Sequence, residues 1–373
     1  MLKVLVLGSG QLGLMMAAEA AKFGMVFDRV DAATDKLFKG TSPVGEDFDL
    51  ATMKDHYDVI TAEMEHLPDN ELVQTLKQQK AWINDAAFKA LVDRQDQKSL
   101  LDHLNLATSP WVFLDTPDAL QNAFQVCGDN LVVKTTRGGY DGKGQWRVNR
   151  TSSADLPQDI FGHSIAEALI PFSREVSLVG VRDQKGTCRF LPLAVNVHWE
   201  GILRYSVSGH QDDASLQSDA ERMLGTLMND LGYVGVMAME CFHAPEGLLI
   251  NEIAPRVHNS GHWSQLGMLY NQFKLHLHAI IDQPIPTTLP SSPTLMVNFI
   301  GCEFNPEWLA IPNTQCHWYG KSECRTGRKM GHINIAVTNQ AEADACLNQL
   351  MPLLDDTHQK ALENGMSELL GVL

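Results

Sequence analysis

The chain has 373 residues, of which 44% are hydrophobic and 20% charged, and its formal net charge is -16. This length predicts two or three domains with ample cores, and the composition is that of an ordinary soluble globular protein. The negative charge argues against a nucleic acid or an anionic membrane as partner, because both bind basic surfaces.

The cysteines and the apolar runs indicate a cytoplasmic protein. Seven cysteines are scattered without CxxC spacing, so neither a disulfide scaffold nor a zinc ribbon is predicted. Such cysteines are typical of unpaired thiols in a reducing compartment. No apolar run in the sequence reaches the roughly 18–20 residues of a membrane span, and Leu2 to Leu7 is too short for a signal peptide.

The N-terminal segment predicts a strand, a glycine turn and a helix. An apolar strand at Lys3 to Leu7 precedes the glycine-rich stretch Gly8 to Gly13, and the helix that follows should end at Gly24. With Asp31 about twenty residues on, this is the dinucleotide fingerprint, so an NAD(P)-dependent oxidoreductase is one alternative. The same glycines suit any strand–helix unit whose loop approaches a phosphate or a small substrate.

The next hundred residues continue the alternation of strands and helices. Strands are predicted at Met25 to Val30, Asp58 to Leu67 and Ala81 to Asn84, with a helix at about Asp69 to Lys80. This order is typical of a parallel α/β sheet, and the unit should close near residue 95.

A second glycine-rich loop follows a helix predicted at Asp96 to His103. In the segment Leu131 to Val148, Lys134 precedes four glycines that lie between Gly138 and Gly144. A lysine at a strand end supplies a charge for phosphate, and flanking glycines let main-chain N–H groups fold over anionic oxygens. The GxxxxGK[ST] pattern of a Walker A loop is absent, and a plain flexible hairpin is the alternative.

Two carboxylates are predicted to face each other on a buried hairpin. Val234 to Phe242 and Leu248 to Arg256 are apolar strands that carry Glu240 and Glu252, and a hairpin centred on Glu246 places these two opposite each other. Cross-strand partners are about 4.5–5.5 Å apart between Cβ atoms, where like charges destabilise the sheet. A divalent cation carrying nucleotide phosphates would compensate them, and Mg²⁺ is the expected ion. A register slip of one would pair Asn251 with Glu240, and a solvated edge hairpin is the alternative.

The remaining candidate residues lie in the C-terminal half. Helices are predicted at about Ser215 to Leu231, Gln265 to Asp282 and Gln340 to Leu350. His258 and His262 have zinc-binding spacing, but Pro255 and Gly261 argue against a helix there, so a polar loop aimed at an anion, or structural histidines, are predicted instead. The cations of Lys321 to Lys329 indicate a phosphate-anchoring loop or a solvated basic turn.

Taken together, these motifs resemble the ATP-grasp carboxylases, and in particular the N5-carboxyaminoimidazole ribonucleotide synthetases. The motifs GQLG, GGYDGKGQWR, EALI, GYVGVMAMECF, APRVHNSGHW and GRKMGH occur in the expected order and span residues 8 to 332. The resemblance implies an α/β fold with a pre-ATP-grasp, Rossmann-like N-terminal domain followed by ATP-grasp lid and large α+β domains. The implied domains are residues 1–98, a lid at 99–166, a large domain at 167–300 and a C-terminal extension at 301–373.

The resemblance also implies the reaction. ATP would phosphorylate bicarbonate to carboxyphosphate, and the exocyclic amine of 5-aminoimidazole ribonucleotide (AIR) would attack it to give the N5-carbamate, ADP and phosphate. Mg²⁺ would be the metal, and a homodimer is expected. The N-terminal glycine loop would then bind AIR and not NAD.

Site residues carried over from the family fall into four groups. The implied ATP-binding residues are Arg94, Lys134, Gly139, Tyr140, Asp141, Gly142, Lys143, Gly144, Gln145, Glu167, Ala168, Leu169, Ile170, Glu175, His198, Asn251 and Glu252, with Glu167 to Ile170 at the adenine and Glu175 at the ribose. The implied metal ligands are Glu240 and Glu252. The implied AIR-binding residues are Gln11, Leu12, Tyr140, Asp141, Arg256, His258, Lys321 and Arg328. The implied catalytic residues, placed around bicarbonate and the reacting amine, are Arg256 and His258.

One departure from the family pattern concerns the metal site, since Ala254 replaces an asparagine that many ATP-grasp enzymes use as a further ligand. The alternatives are another ATP-grasp ligase, such as a formate-dependent glycinamide ribonucleotide transformylase, and a nucleotide-binding regulator without turnover. The oxidoreductase alternative leaves the acidic hairpin and the second glycine loop without a role.

Overall fold

The computed structural model describes residues 1–53, 55–139, 143–151, 156–209, 214–337 and 339–370. The α-helices are α1 Gln11–Ala21, α2 Leu50–Met53, α3 Glu71–Lys77, α4 Asp85–Leu91, α5 Arg94–His103, α6 Ala119–Cys127, α7 Ala214–Asp230, α8 Ser264–Gly267, α9 Gln272–Ile280, α10 Gln340–Leu350 and α11 Asp356–Leu370. The strands are β1 Lys3–Leu7, β2 Val26–Asp31, β3 Lys36–Lys39, β4 Glu46–Asp47, β5 Val59–Ala62, β6 Trp111–Phe113, β7 Asn130–Thr135, β8 Gln145–Asn149, β9 Ser164–Ala168, β10 Arg174–Arg182, β11 Cys188–Phe190, β12 Ala194–Trp199, β13 Ile202–Ser208, β14 Gly235–Ala244, β15 Gly247–Ala254, β16 Thr294–Ile300, β17 Thr314–Trp318 and β18 Lys329–Ala336.

The N-terminal sheet has the order β4-β3-β2-β1-β5, with β1 parallel to both β2 and β5. The predicted parallel unit is therefore confirmed at its centre, while β3 and β4 add an antiparallel edge. The strand predicted at Ala81 to Asn84 is reduced to a single parallel bridge between Trp82 and Ile60.

A four-stranded antiparallel sheet, β6-β9-β7-β8, carries the second glycine-rich loop between β7 and β8. Helix α6 packs on it, with Leu120, Ala123 and Phe124 in the core. The predicted lid boundary at residue 166 falls inside β9, and the domain boundaries stay a prediction.

The largest sheet has nine strands in the order β15-β14-β10-β12-β13-β16-β18-β17, with β11 paired to β10. Its first strands carry the acidic hairpin, and β17 and β18, from the predicted C-terminal extension, continue the same sheet. Helix α7 packs on one side of it and α9 on the other, and α1 of the N-terminal unit shares the core of α9.

One predicted helix is corrected by the structure. The helix predicted at Gln265 to Asp282 is broken into α8 and α9, because Asn271 caps a new helix and its side chain accepts from the N–H of Lys274. Helices α2, α4, α6 and α11 were not predicted. All seven cysteines are free thiols, and among the described residues no helix is long and apolar enough to cross a membrane.

Candidate active site

The acidic hairpin has the predicted pairing of Glu240 with Glu252, but for a reason that the sequence did not indicate. Next to the turn, Ala244 pairs with Gly247, a register that would bring Asn251 opposite Glu240 if it continued. A β-bulge at Asn251 shifts the register by one residue and restores the pairing of the two carboxylates. The predicted centre at Glu246 is therefore wrong, whereas the predicted pair is confirmed.

The two carboxylates lie among further titratable side chains on the same sheet. Burial raises the pKa of Glu240, and the charges of Glu252 and Glu175 raise it further. Glu175 Oε2 is 3.1 Å from His198 Nδ1, and His258 Nδ1 is 3.7 Å from Glu240 Oε1. Like charges concentrated in a poorly hydrated place need a cation, and two carboxylates completed by substrate phosphates are a common Mg²⁺ site.

A buried carboxylate fixes two lysines beside this hairpin. Glu167, at 2% exposure, pairs with Lys98 and, at 2.5 Å, with Lys134. Burial alone would raise the pKa of Glu167, but the two ammonium groups outweigh burial and lower it to about 2. Lys134 Nζ also donates to Asn251 Oδ1 at 3.0 Å, so the residue of the bulge orients the lysine of the glycine-loop sheet. Two lysines beside one carboxylate leave a net positive charge, which a phosphate group could neutralise.

The second glycine-rich loop is anchored by Arg94. Its guanidinium donates to the carbonyl oxygens of Thr135 at 2.9 Å and Gly139 at 2.6 Å. Gly144 has φ +63°, and a Cβ there would lie 2.7 Å from Thr135 Oγ1, so the return of the loop requires glycine. The predicted loop-tip residues Tyr140, Asp141 and Gly142 lie outside the described residues.

The N-terminal glycine loop binds a carboxylate of the protein itself. Glu63, which follows β5, accepts from the main-chain N–H groups of Gly10 and Gly13. A Cβ at Gly8 would lie 2.2 Å from Glu63 Cγ, so the fit also requires glycine at that position. These amides are the donors that a dinucleotide pyrophosphate would need, and a carboxylate takes that place. The oxidoreductase alternative is therefore disfavoured. Gln11 and Leu12 open α1 beside this contact.

Basic residues from two further loops lie near Glu63 and the N-terminal glycine loop. Arg256 Nη2 is 2.9 Å from Glu65 Oε1. Lys321 Nζ donates to the carbonyl of Lys329 at 2.6 Å, and burial, followed by the charges of Arg328 and Lys329, lowers the pKa of Lys321 to about 8. Because Arg328 and Lys329 lie close to Lys321, an added anion such as a phosphate would relieve the repulsion among these three cations.

Comparisons with known proteins agree with this geometry. Three protein families match successive parts of the chain: the ribonucleotide synthetase preATP-grasp domain at residues 1–91, the ATP-grasp domain at 99–273 and the phosphoribosylaminoimidazole carboxylase C-terminal domain at 294–345. N5-carboxyaminoimidazole ribonucleotide synthase of Escherichia coli K12 is 44% identical over 95% of this chain and 96% of its own length. The Haemophilus influenzae protein of the same name is 45% identical over 98% and 97%.

The chain belongs to the N5-carboxyaminoimidazole ribonucleotide synthase family. Solved structures of the family share its fold. The Thermus thermophilus synthetase has a TM-score of 0.84 at 34% identity, covering 95% of this chain and 99% of its own. The Aspergillus clavatus synthase, solved with ADP and 5-aminoimidazole ribonucleotide, has a TM-score of 0.81 at 25% identity, covering 94% and 98%. The resemblance based on the motifs and the predicted fold class are thus confirmed.

At the segment predicted to bind adenine, two main-chain donors are already used. The N–H of Ala168 donates to Pro110 O at 2.9 Å, and that of Leu169 to Asn130 O at 3.0 Å. The carboxylate of Glu167 is occupied by lysines, so an adenine contact by this residue would have to come from its main chain. The assignment of adenine to Glu167 to Ile170 stays a prediction.

Three site residues were not predicted from the sequence: Glu63, Glu65 and Lys98. Both glutamates follow the buried parallel strand β5, and ligands of open α/β sheets bind beyond the carboxyl ends of such strands. That rule could have identified them. Lys98 is 2% exposed within α5, and a lysine in an amphipathic helix gives no signal of burial before its partner Glu167 is placed.

Proposed function

We propose that this protein is an N5-carboxyaminoimidazole ribonucleotide synthase of purine biosynthesis. It phosphorylates bicarbonate with ATP and transfers the carboxyl group of carboxyphosphate to the exocyclic amine of AIR, releasing ADP and phosphate. The observation that carries the proposal is the contact between the two halves of an ATP site. Lys134 of the glycine-loop sheet reaches Asn251, the neighbour of Glu252 on the acidic hairpin. Relatives solved with ATP, ADP and AIR support the same substrates.

Glu240 and Glu252 would hold Mg²⁺ in this proposal. Among the residues that the structure describes, no group of three or more His, Cys, Asp or Glu side chains could hold a metal alone, so substrate phosphates and water would complete the coordination. Asn251 Oδ1 accepts from Lys134, and Ala254 has no side-chain oxygen to offer a metal. The protein ligands of the metal would therefore be the two carboxylates. When bound, Mg²⁺ would neutralise charge on the transferred phosphoryl group.

Other residues of this chain would bind and orient the three substrates. Lys98, Lys134 and the loop around Gly139 would cover the ATP phosphates, and Glu175 and His198 would lie near the ribose. Arg256 and His258 would orient bicarbonate and the reacting amine. Lys321 and Arg328 would bind the AIR phosphate. Positioning and charge neutralisation supply most of the catalysis of phosphoryl transfer, and a closed loop keeps water from carboxyphosphate.

We also propose that the enzyme is a cytoplasmic homodimer, as the family resemblance implies. Sedimentation equilibrium at micromolar concentration tests the assembly: a mass twice 41.3 kDa is expected. A single species of monomer mass would contradict the dimer.

The test of the function is ADP release from MgATP with bicarbonate and AIR added separately and together. We expect strong stimulation only when both are present, with labelled bicarbonate recovered in the product. ADP release with formate and glycinamide ribonucleotide would instead assign the protein to the transformylase alternative. MgATP binding without a response to AIR would contradict the proposed acceptor.

A further inference from the structure

Gln272 is completely buried at the start of α9, and its side chain reaches back to the loop that carries Arg256 and His258. Its Oε1 accepts from the main-chain N–H of His258 at 2.9 Å, and its Nε2 donates to the main-chain carbonyl of the same residue at 2.7 Å. The second Nε2 hydrogen is directed at His262 Nδ1, 2.9 Å away.

The orientation of this amide is fixed by its partners. A main-chain N–H can only donate and a main-chain carbonyl can only accept, so the oxygen and nitrogen of Gln272 cannot exchange places. His262 Nδ1 must then be the acceptor. The amide therefore uses both of its hydrogens and its oxygen, and buried polar groups satisfied in this way rigidify their surroundings.

Other buried side chains hold the rest of the same loop. Asn259 and Asn298 exchange two hydrogen bonds of 3.0 and 2.7 Å, and Asn334 donates to His262 O at 3.0 Å. A Cβ at Gly261 would lie 2.6 Å from Gln272 Oε1, so the loop passes the amide too closely for any side chain there. Among these contacts, only those of Gln272 fasten His258 on both sides of its Cα atom.

We propose that Gln272 is a positioning residue for carboxyl transfer. By clamping the main chain of His258, it fixes the point from which the imidazole leaves the loop, and it fixes the loop next to Arg256. Ser260, whose N–H donates to His258 Nδ1 at 3.3 Å, then sets the ring, with Nδ1 3.7 Å from Glu240 Oε1. A displacement of about 1 Å at a reacting centre can cost about 10²-fold in rate. This inference rests on the proposed function, since it assigns His258 to that reaction.

The test compares Gln272→Met and Gln272→Glu with the wild type and with Gln265→Met. Methionine keeps the length of the side chain but makes none of the three hydrogen bonds. Glutamate keeps the acceptor for the N–H of His258 and opposes its carbonyl with a second oxygen. Gln265 is the matched control, because its amide contacts His317 and His332 and its side chain makes no hydrogen bond to His258 in the structure.

We expect both Gln272 variants to lower kcat for AIR carboxylation about 10- to 100-fold, with the KM for ATP and the Kd for ADP nearly unchanged. The ratio of labelled carbamate to ADP should also fall below that of the wild type, because misplaced AIR lets carboxyphosphate hydrolyse. Gln265→Met should keep the wild-type ratio. A purely structural role would lower the melting temperature without changing this ratio.

The outcomes separate the two claims. If the wild type shows no AIR-dependent turnover, the proposed function fails and this inference falls with it. If the wild type is active and Gln272→Met or Gln272→Glu folds with the wild-type kcat and product ratio, only the positioning role is refuted. Should Gln272→Met fail to fold, Gln272→Glu decides on the same readouts.

Discussion

At the scale of single residues, Glu167 sits between two ammonium groups where water barely reaches. Its oxygens pair with Lys98 and Lys134, and Ser109 Oγ donates to it at 2.9 Å. Removing one partner of a buried ion pair is costly, because the remaining charges lose both their solvation and their counter-ion. The carboxylate therefore stabilises the fold and fixes the positions of the two lysines.

We expect Glu167→Gln to lower the free energy of unfolding by about 3–5 kcal/mol at pH 7 and to raise the KM for ATP. Ser109→Ala removes one hydrogen bond to the same carboxylate and the acceptor of a second from Lys98 Nζ at 3.1 Å, but no charge, and should cost less, about 1–2 kcal/mol. Urea unfolding of both variants gives the comparison. Equal losses would show that the charge of Glu167 is not what matters.

The pair Glu240 and Glu252 has the opposite electrostatic character. Two facing carboxylates repel each other without a cation, so Glu252→Gln should leave the metal-free protein as stable as the wild type, or about 1 kcal/mol more stable. The same variant should lose AIR-dependent ADP release and the rise in melting temperature caused by MgATP.

Glu246→Gln is the matched control for this variant, because it removes the same charge from the exposed turn of the same hairpin. It should keep both turnover and the response to MgATP. Full activity in Glu252→Gln would contradict its role as a metal ligand.

At the scale of elements, the basic loop between β17 and β18 carries two arginines that allow the effect of position to be tested separately from the effect of charge. Arg328 Nη1 donates to the carbonyl of Glu323 at 2.9 Å, which directs this guanidinium, and the pKa of Lys321 is lowered to about 8 by burial and by neighbouring cations. Arg325 lies on the same loop and carries the same charge.

We expect Arg328→Ala to raise the KM for AIR at least 10-fold, since a charge-assisted hydrogen bond contributes about 1.5–3 kcal/mol, and to leave the KM for ATP nearly unchanged. Arg325→Ala should have a much smaller effect on AIR. Steady-state kinetics with either substrate varied makes the comparison. Equal effects of Arg328→Ala on both substrates would refute the phosphate-anchor role.

The acidic hairpin also marks what the sequence could and could not predict. Alternating apolar residues and a turn sequence were enough to pair two strands and to place both glutamates on one face. The bulge at Asn251 could not be read from the sequence, because neither the apolar residues nor the turn sequence marks it, and the partner of the Asn251 side chain, Lys134, lies on another sheet. The break between α8 and α9 places Gln272 at the start of a new helix, from which its side chain reaches His258. The break could not be predicted either, because apolar residues continue at helical spacing through it.

At the scale of the whole molecule, the N-terminal unit and the ATP-grasp region share one hydrophobic core. Leu12, Met15 and Met16 of α1 belong to the same cluster as Phe273 and Leu277 of α9. Asn271 Nδ2 donates to the buried Glu19 Oε1 at 2.9 Å across this contact. The loop predicted to bind AIR is thus packed rigidly against the helix that begins with Gln272, and neither unit is expected to unfold alone.

Buried neutral histidines should make this whole structure sensitive to acid. Burial lowers the pKa of five histidines that do not pair with Glu240 or Glu252, namely His262, His276, His317, His332 and His358. It raises the pKa of three carboxylates, Asp28, Glu63 and Glu240, and the pairing with Glu175 raises the pKa of His198 against burial. These four groups oppose the effect but are fewer than the histidines. Below about pH 6.5 the unfolded chain therefore binds more protons than the folded protein, and stability falls as pH falls.

His276 allows a quantitative test, since burial lowers its pKa to about 4 and its Nδ1 accepts from the N–H of Val236 at 3.0 Å. Its contribution is complete above about pH 6.5 and is lost as pH falls toward 4, by about 1.4 kcal/mol per pH unit. We expect His276→Gln to be less stable than the wild type at pH 7.5 but to lose stability less steeply on acidification. Urea unfolding between pH 7.5 and 5 measures both slopes. Parallel slopes would mean that His276 takes up its proton in the folded protein, and the buried neutral state would be refuted.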